Sequence, residues 1–295
     1  ITISDAMLRG PPDERTPDEL LAFGVVNLDK PPGPSAHQVA AWVRDLAEVD
    51  RAAHAGTLDP KVTGCLPTLT GAATRLSQVF LEGAKEYVAV LELHDEPPTD
   101  IESIVAEFEG PLYQKPPRKS AVARRLRVRE VYALDVLEVG DRKALLRIRC
   151  ESGTYIRKLC HDLGLALGTG AHMGDLRRTA TDPFDDSTLV TMEEFADGLA
   201  RWREKQNADW LREVVQPAER ALSHLPAVTI ARSAAEEVAR GAQVYAPGVI
   251  EAEDADSGQL VACVTPDDAA VCLGTMAGDS ETEDGLVVEL ERVLV

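Results

Sequence analysis

The chain has 295 residues, a formal net charge of -19 and five scattered cysteines, and these values narrow the classes of protein to consider. It contains no run of about 18 uncharged apolar residues and does not open with a basic-then-apolar leader, so we expect a cytoplasmic protein without a membrane span. Because no two cysteines form a C-x-x-C pair, we expect buried thiols in a reducing compartment rather than a zinc site or disulfides. The length suits one large domain and one small one.

The acidic charge is spread over the whole chain: 31 basic residues, of which eight are lysines, stand against 50 acidic ones. This pattern is typical of proteins adapted to high intracellular salt, where screening makes a large surface charge tolerable. A protein that binds nucleic acid is usually basic. The position of any positive cluster is therefore more informative than the total charge.

The first part of the chain predicts an arm, a strand and a helix. Residues 1–21 are polar and contain prolines, so we interpret them as a tail or docking arm. Residues 23–28 form an apolar run typical of a strand, and the Lys-Pro-Pro-Gly turn of residues 30–33 ends it. Ser35 is then predicted to N-cap a helix whose apolar residues fall on one face.

A single carboxylate occupies the next loop, Ala-His-Ala-Gly-Thr-Leu-Asp-Pro-Lys-Val-Thr-Gly at residues 53–64. Asp59 lies between two glycines, which adopt backbone conformations closed to other residues. The proline that follows keeps Asp59 out of the helical region. We therefore expect a stiff loop, and not a helix, to present this carboxylate, although an ordinary turn has the same composition.

The following segments alternate between strand and helix signals. Residues 66–79 are predicted to form a buried connection and a short helix. Residues 85–93 are rich in strand-forming residues and place Tyr87 near the start of a strand. Apolar side chains at helical spacing predict a short helix over residues 100–108, which Gly110 and Pro111 end.

Residues 115–129 carry seven basic side chains and no acidic one. The seven are Lys115, Arg118, Lys119, Arg124, Arg125, Arg127 and Arg129. Neutralising phosphates requires clustered Arg and Lys. In so acidic a chain, this window predicts a surface that contacts a polyanion.

The second half predicts further strands and helices. Strand signals at residues 131–136 and 143–150 precede a helix that opens at residues 152–154 and ends near Gly168. Thr191 and Glu194 form a capping box that predicts a helix to about residue 206.

Beyond Pro226 the chain carries short strand-like runs separated by turn residues. The clearest runs cover residues 260–264, 269–273 and 286–295. Short strands with frequent turns predict a small β-rich domain.

Several of these segments, taken in order, resemble the signature of the TruB and dyskerin family of RNA pseudouridine synthases. Gly-Thr-Leu-Asp-Pro at residues 56–60 matches the loop of the family's catalytic aspartate, and Lys-x-Tyr-x-Ala at residues 85–89 matches a second motif. Gly-Thr-Tyr-Ile-Arg at residues 153–157 and Leu-Arg-Arg-Thr at residues 176–179 match two more. The basic window resembles the archaeal and eukaryotic dyskerin branch, and the Gly-Ala-x-Val…Pro-Gly pattern at residues 241–248 resembles a PUA domain.

The resemblance implies an α+β fold in two domains. A pseudouridine-synthase catalytic domain over residues 22–225 would hold a central mixed or antiparallel sheet flanked by helices. Residues 226–295 would form a small C-terminal β-rich PUA pseudo-barrel, on which the arm of residues 1–21 would pack. The sequence departs from the family at Ala180, which begins Ala-Thr-Asp-Pro-Phe where a glycine usually precedes Pro-Phe.

The resemblance also implies catalytic roles for Asp59, Tyr87 and Arg157. Isomerising uridine requires an ionised carboxylate at the sugar–base junction, and a cation keeps a buried carboxylate charged. Arg157 would pair bidentately with Asp59, and Tyr87 would stack on the flipped base. We expect removal of either partner of the pair to damage both fold and activity, because a buried charge would lose its partner. Substrate-binding roles are implied for His54, Tyr155, Ile156 and Leu176.

RNA contacts are predicted for the basic window and for Arg177 and Arg178. The resemblance implies no cofactor and no metal, because the reaction needs neither redox chemistry nor nucleotide energy. It implies box H/ACA guide RNA, a substrate RNA and small accessory proteins as partners.

Three other functions fit parts of the sequence. A stand-alone transfer-RNA pseudouridine synthase would share every motif. A catalytically silent RNA-binding scaffold would not need Asp59, Tyr87 and Arg157 together. A glycoside hydrolase would need a second acid paired with Asp59, and no motif supplies one.

Overall fold

The computed structural model describes residues 8–115, 125–277 and 285–295. Over these ranges the chain forms eight α-helices and two β-sheets, so the predicted α+β fold is confirmed. The helices are α1 Pro17–Ala22, α2 Ala36–Ala47, α3 Val79–Glu82, α4 Ile101–Ala106, α5 Ile156–Ala166, α6 Met192–Lys205, α7 Asp209–Val214 and α8 Arg232–Ala239.

The larger sheet has ten strands, in the order β10-β1-β3-β8-β4-β7-β6-β5, with β2 on β3 and β9 on β8. Its strands are β1 Phe23–Lys30, β2 Ala52–His54, β3 Thr63–Gly71, β4 Lys85–Leu93, β5 Gly110–Gln114, β6 Arg127–Gly140, β7 Lys143–Cys150, β8 Ala171–Thr181, β9 Phe184–Asp185 and β10 Gln216–Pro217. Most neighbours are antiparallel, whereas β3 and β8 are parallel, so the sheet is mixed.

The smaller sheet has six strands, in the order β12-β16-β15-β14-β11-β13. They are β11 Ala227–Ile230, β12 Val244–Tyr245, β13 Val249–Ala252, β14 Leu260–Val264, β15 Ala270–Met276 and β16 Leu286–Val293. This sheet confirms the predicted β-rich C-terminal region.

Helices pack against the larger sheet through separate apolar clusters. One cluster joins α2, α6 and α7 to β1 and β3, and another joins α4 and α5 to β4, β6 and β7. Side-chain caps fix two of these helices where the sequence predicts them. Ser35 and Gln38 cap α2 reciprocally, and Thr191 and Glu194 do the same for α6.

Three segments differ from the prediction. Residues 63–71 form strand β3, where we expected a connection and a helix, because the strand is buried on both faces and has no alternating pattern. The mostly polar strand β8 was not predicted. Helix α1 lies inside the predicted arm, where Thr16 and Glu19 form a capping box in front of it.

The arm crosses the junction between the two sheets. Arg15 is 2% exposed and pairs with Glu219 at 2.6 Å, and Arg9 donates a hydrogen bond to the Leu294 carbonyl at the end of the chain. An apolar cluster at this junction contains Phe23 of β1 and Leu273 of β15. The Arg9 guanidinium lies 3.8 Å from the centroid of the Phe23 ring of β1, and Leu8 packs against the apolar cluster of the smaller sheet, so the arm contacts both sheets.

No helix in the described ranges is long and apolar enough to cross a membrane.

Candidate active site

The loop between β2 and β3 carries Asp59, as predicted. Gly56 and Gly64 both have positive φ, of +89° and +98°. A Cβ at Gly64 would lie 2.2 Å from the Arg178 carbonyl oxygen, so glycine is what allows β3 to approach β8 at this point. The loop is thus fixed by backbone geometry at both ends.

A buried lysine holds the turn that follows Asp59. The Lys30 ammonium is fully buried and donates to the carbonyls of Pro31 and Pro60 at 2.9 Å and of Val62 at 2.8 Å. Val62 also donates its N–H to the Asp59 carbonyl at 3.0 Å. Burial lowers the pKa of Lys30 from its ordinary value, and the Asp59 carboxylate opposes part of that decrease. The Lys30 ammonium therefore adds positive charge near the Asp59 carboxylate.

Asp59 and Arg157, which are 98 residues apart, form the predicted ion pair. Arg157 lies in the first turn of α5, and its Nη2 donates to Oδ2 of Asp59 at 2.9 Å. The contact is single, so the bidentate geometry that we expected is wrong.

This ion pair is also open to solvent, since the Arg157 and Asp59 side chains are 67% and 61% exposed. An exposed pair contributes about 0–1 kcal/mol to stability. The expected burial of the pair is therefore wrong, and the exposed geometry predicts that removing either partner changes stability little.

Three adjacent strands bring the other predicted residues to this loop. Thr63 of β3 pairs with Arg177 of β8, which in turn pairs with Val88 of β4. Tyr87 and Leu176 are sequence neighbours of these positions and are both half-buried. The register therefore places Tyr87 and Leu176 beside the Asp59 loop.

A cavity of about 310 Å³ opens at this meeting of strands. Val88, Val90 and Leu176 contribute apolar surface, and Lys61 and Arg177 contribute positive charge. Asp175 adds a carboxylate to the lining, which does not include Asp59, Tyr87 or Arg157.

Tyr87 lies between the two apolar clusters of the sheet. Burial raises the pKa of its phenol, and Arg178 opposes part of that rise. Tyr87 is therefore a neutral aromatic group at neutral pH.

The remaining predicted substrate-binding residues differ in exposure. His54 ends β2, and burial lowers the pKa of its imidazole, with a further decrease from Arg178 and His37. The backbone of Tyr155 is held by Gln114, which accepts its N–H at 2.9 Å. Ile156 is 4% exposed and packs in the core beside α5, so most of its surface contacts protein.

The basic window is only partly described. Arg118, Lys119 and Arg124 lie outside the described residues. Lys115 and Arg125 are exposed and Arg127 is half-buried, so these side chains have access to solvent. Arg129 instead pairs with Glu151 at 2.5 Å, which leaves it less free to contact phosphate.

The two arginines of β8 differ from each other. Arg177 pairs with both carboxylate oxygens of Asp29, at 2.9 and 3.0 Å. Arg178 is 1% exposed and donates to backbone carbonyls. The prediction that Arg178 contacts RNA is therefore wrong, since its side chain is enclosed by protein.

Sequence reasoning did not identify Lys30 as a residue of the site, and it gave Arg178 a different role, contact with RNA. Both are basic residues within otherwise strand-like segments, and long charged side chains are rarely fully buried. For Lys30, the two prolines and the glycine that follow it were the available signal.

An exposed acid–arginine pair on a mixed sheet flanked by helices, joined to a second small β-rich unit, fits the class of RNA-modifying pseudouridine synthases that the motifs resemble. Family models agree with this assignment over most of the chain. The TruB family pseudouridylate synthase N-terminal domain matches residues 44–100, and the tRNA pseudouridylate synthase B C-terminal domain matches residues 157–223. The PUA domain matches residues 226–294, and the DKCLD domain matches residues 9–40.

Curated relatives resemble the chain over its whole length. The probable tRNA pseudouridine synthase B of Haloarcula marismortui is 66% identical, covering 100% of this chain and 96% of the relative. The protein of the same name from Halobacterium salinarum is 64% identical, covering 98% and 99%. Both relatives come from halophiles, in agreement with the predicted salt adaptation.

Solved structures show the same architecture. A Cbf5–Nop10–Gar1 complex matches with a TM-score of 0.93 and 44% identity, covering 98% of this chain and 90% of the matched chain. An H/ACA RNP bound to a substrate RNA that contains 2′-deoxyuridine matches with a TM-score of 0.91 and 41% identity, covering 100% and 92%. The chain belongs to the TruB family of pseudouridine synthases, and it carries a PUA domain.

Proposed function

We propose that this pseudouridine synthase acts as the catalytic subunit of a box H/ACA ribonucleoprotein, in which a guide RNA selects the uridine. The support is the match over 98% to 100% of the chain to structures of Cbf5 with Nop10 and Gar1 and of an H/ACA RNP with substrate RNA. The observation that carries the chemistry is the solvent-exposed Asp59–Arg157 pair, with Tyr87 and Leu176 in strands next to the Asp59 loop. By the same likeness, Nop10-like and Gar1-like proteins would be its accessory partners.

In this proposal, Asp59 is the ionised carboxylate at the sugar–base junction, as nucleophile or as base. The reaction breaks the bond from the ribose carbon to N1 of uracil, turns the base and forms a bond from the same carbon to C5. C5 loses its proton and N1 gains one, so the product is an isomer of uridine. The Arg157 guanidinium donates a hydrogen bond to Asp59 and places a positive charge beside its carboxylate. Lys30 adds positive charge near the carboxylate, and its hydrogen bond to the Pro60 carbonyl fixes the turn. The carboxylate would therefore stay in place during the reaction.

Tyr87 and Leu176 would hold the uracil. A flipped base loses its stacking neighbours, which costs a few kcal/mol, and stacking on an aromatic ring offsets about 1–3 kcal/mol of that cost. Leu176 packs against the same two apolar clusters as Tyr87, so it would add apolar surface next to the ring. We assign His54, Tyr155 and Ile156 to the surroundings of this uracil-binding site, with Ile156 acting mainly by packing.

We also propose a division of labour along the chain. Residues 22–225 would carry out catalysis and residues 226–295 would hold RNA, with the arm of residues 1–21 joining the two. The exposed side chains of Lys115 and Arg125 would contact phosphates close to the catalytic sheet.

A second function is favoured by the names of the curated relatives. The proteins from Haloarcula marismortui and Halobacterium salinarum are both called probable tRNA pseudouridine synthase B. The chain could therefore also modify transfer RNA without a guide, since the chemistry is the same.

One experiment separates the two functions. The purified chain is incubated in molar salt with transfer RNA, or with guide RNA, accessory proteins and a complementary substrate, and pseudouridines are mapped on each RNA. Guide-dependent modification is expected, and Asp59→Asn in the same mixture is the control for chemistry. Modification of transfer RNA alone, with none at the guided uridine, would overturn the guide-dependent proposal.

A further inference from the structure

Arg178 is a buried arginine that bonds to the backbone and forms no ion pair with any carboxylate of the described residues. Its Nε donates to the Cys65 carbonyl at 2.8 Å. Its Nη2 donates to the carbonyls of Ala55 at 3.4 Å and of Gly56 at 3.2 Å. One guanidinium thus bridges the start of the Asp59 loop and strand β3.

The same residue also anchors the other end of the loop. Through its backbone, Arg178 pairs with Gly64 of β3, which closes the loop that carries Asp59. An added Cβ at Gly56 would lie 3.3 Å from Nη1 of Arg178, so the loop passes directly over the guanidinium. Both ends of the loop therefore depend on one residue of β8.

Arg178 reaches the aromatic residue of the site as well. On its other side, β8 pairs with β4, and the partner of Arg178 in that register is Tyr87. The guanidinium interacts with the Tyr87 phenol. Arg178 therefore contacts the Asp59 loop and the base-stacking tyrosine at the same time.

We propose that Arg178 is a positioning residue for pseudouridine formation, fixing the distance between the Asp59 carboxylate and the Tyr87 ring. The proposal rests on the roles given to Asp59 and Tyr87 above. Arg178 does not touch the substrate, because it is enclosed by protein. It acts on the reaction through the loop and the tyrosine that it holds.

The choice of arginine supports this role. Burying a cation without a carboxylate is costly, and an apolar side chain of similar volume would fill the same space at a lower cost. Guanidinium offers five donors in a rigid plane, and this geometry suits carbonyls that come from different segments. Lysine has one compact ammonium and cannot span the same set.

The test compares Arg178→Met and Arg178→Lys with Arg15→Met, which alters a buried arginine in the arm. All variants are assembled with the same guide RNA, accessory proteins and substrate. Single-turnover pseudouridine formation is measured at saturating RNA and expressed per folded, RNA-bound enzyme. We expect Arg178→Met to lose about tenfold to a hundredfold in rate, because a displacement of about 1 Å can cost that much. Arg178→Lys should fall between Arg178→Met and wild type, and Arg15→Met should keep the wild-type rate.

A second readout does not depend on activity. Backbone amide exchange over residues 54–64 should be faster in Arg178→Lys than in wild type or Arg15→Met, since the loop loses carbonyl bonds. If Arg178→Met does not fold, the proposal is tested with Arg178→Lys alone, by the single-turnover rate and by amide exchange over residues 54–64.

The outcomes separate this proposal from the function on which it rests. A wild-type assembly that makes no pseudouridine would overturn the proposed function. A wild-type assembly that turns over, with Arg178→Lys equal to it in both rate and loop exchange, would overturn the positioning role alone.

Discussion

Two arginine–carboxylate pairs in this molecule have opposite surroundings. Arg157 of α5 and Asp59 of the loop between β2 and β3 are more than half exposed, whereas Arg15 and Glu219 at the arm junction are 2% and 13% exposed. The buried pair is bidentate, at 2.8 and 2.6 Å, and the Ala270 N–H adds a third bond to Glu219. The exposed pair has one contact.

The difference separates stability from reactivity. The exposed pair contributes little to folding, but a substrate can reach both of its charges. The buried pair is closed to ligands, and loss of one partner leaves a charge without compensation. Ion pairs of the same chemistry therefore have different tasks in the two regions, and burial decides which.

The largest expected effect is on activity. Asp59→Asn removes the ionised carboxylate, so we expect pseudouridine formation to fall below detection while the melting temperature stays within about a degree or two, the size of effect expected from an exposed pair. Asp135→Asn, in the exposed pair with Arg147, is the matched control and should keep full activity. If Asp59→Asn retained turnover, Asp59 would not be the catalytic carboxylate, and the exposed pair would no longer differ from the buried pair by its role in the reaction.

The next effect is on stability. Arg15→Met should lower the free energy of unfolding by about 3–5 kcal/mol, because Glu219 is left charged and enclosed. Arg157→Met should lower it by less than about 1 kcal/mol. Equilibrium denaturant unfolding at fixed salt measures both. Equal losses in the two variants would show that burial does not distinguish the pairs.

A third prediction concerns a buried cation on the catalytic side. Lys85 is 4% exposed and donates to the carbonyls of Phe80 and Gly83, and burial lowers its pKa from 10.5 to about 8. Between these two pKa values the unfolded chain binds more protons than the folded one, so the free energy of unfolding should rise with pH across this window. The expected rise is about 3 kcal/mol.

The measurement for Lys85 is urea unfolding from pH 8 to 10.5, with Lys85→Met as the variant that lacks the group. Lys143→Met, which alters an exposed lysine, controls for the general effect of alkaline pH. The rise should be absent in Lys85→Met and present in Lys143→Met. A parallel pH dependence in wild type and Lys85→Met would contradict the prediction.

The smallest effect is on RNA binding. Arg125 and Arg127 have access to solvent, so the double change to alanine should weaken guide-RNA binding and reduce the slope of log affinity against log salt by about 1.4–1.8. Arg44→Ala, whose arginine pairs with its neighbour Asp45, is the control and should leave the slope unchanged. An unchanged slope in the double variant would place the phosphates elsewhere.

Sequence patterns predicted the elements whose signals are local. The caps of α2 and α6, the strand that holds Tyr87 and the β-rich C-terminal region all follow from periodicity and turn residues. The prediction failed for strand β3, because a fully buried strand lacks the alternation of apolar and polar residues that distinguishes it from a buried helix. The capping box of α1 was visible in the sequence and was overlooked.

The site was predictable to a different extent. The Asp59–Arg157 pair spans 98 residues, so motif resemblance predicted it where spacing could not. The exposure of the pair and its single contact could not be read from the sequence, because both depend on where α5 begins relative to the loop. The burial of Lys30 and Arg178 could not be predicted from the sequence either. Both side chains donate to backbone carbonyls, and because every residue has a carbonyl, no residue type marks these partners.

Lys30, Lys85 and Arg178 belong to strands β1, β4 and β8 of the larger sheet and are at most 4% exposed. In molar salt the Debye length is about 3 Å, so mobile ions neutralise charges at the protein surface. Such ions have no access to cations enclosed by carbonyls. The electric field that these three cations create at the Asp59 loop should therefore depend less on ionic strength than the field of the exposed Asp59–Arg157 pair.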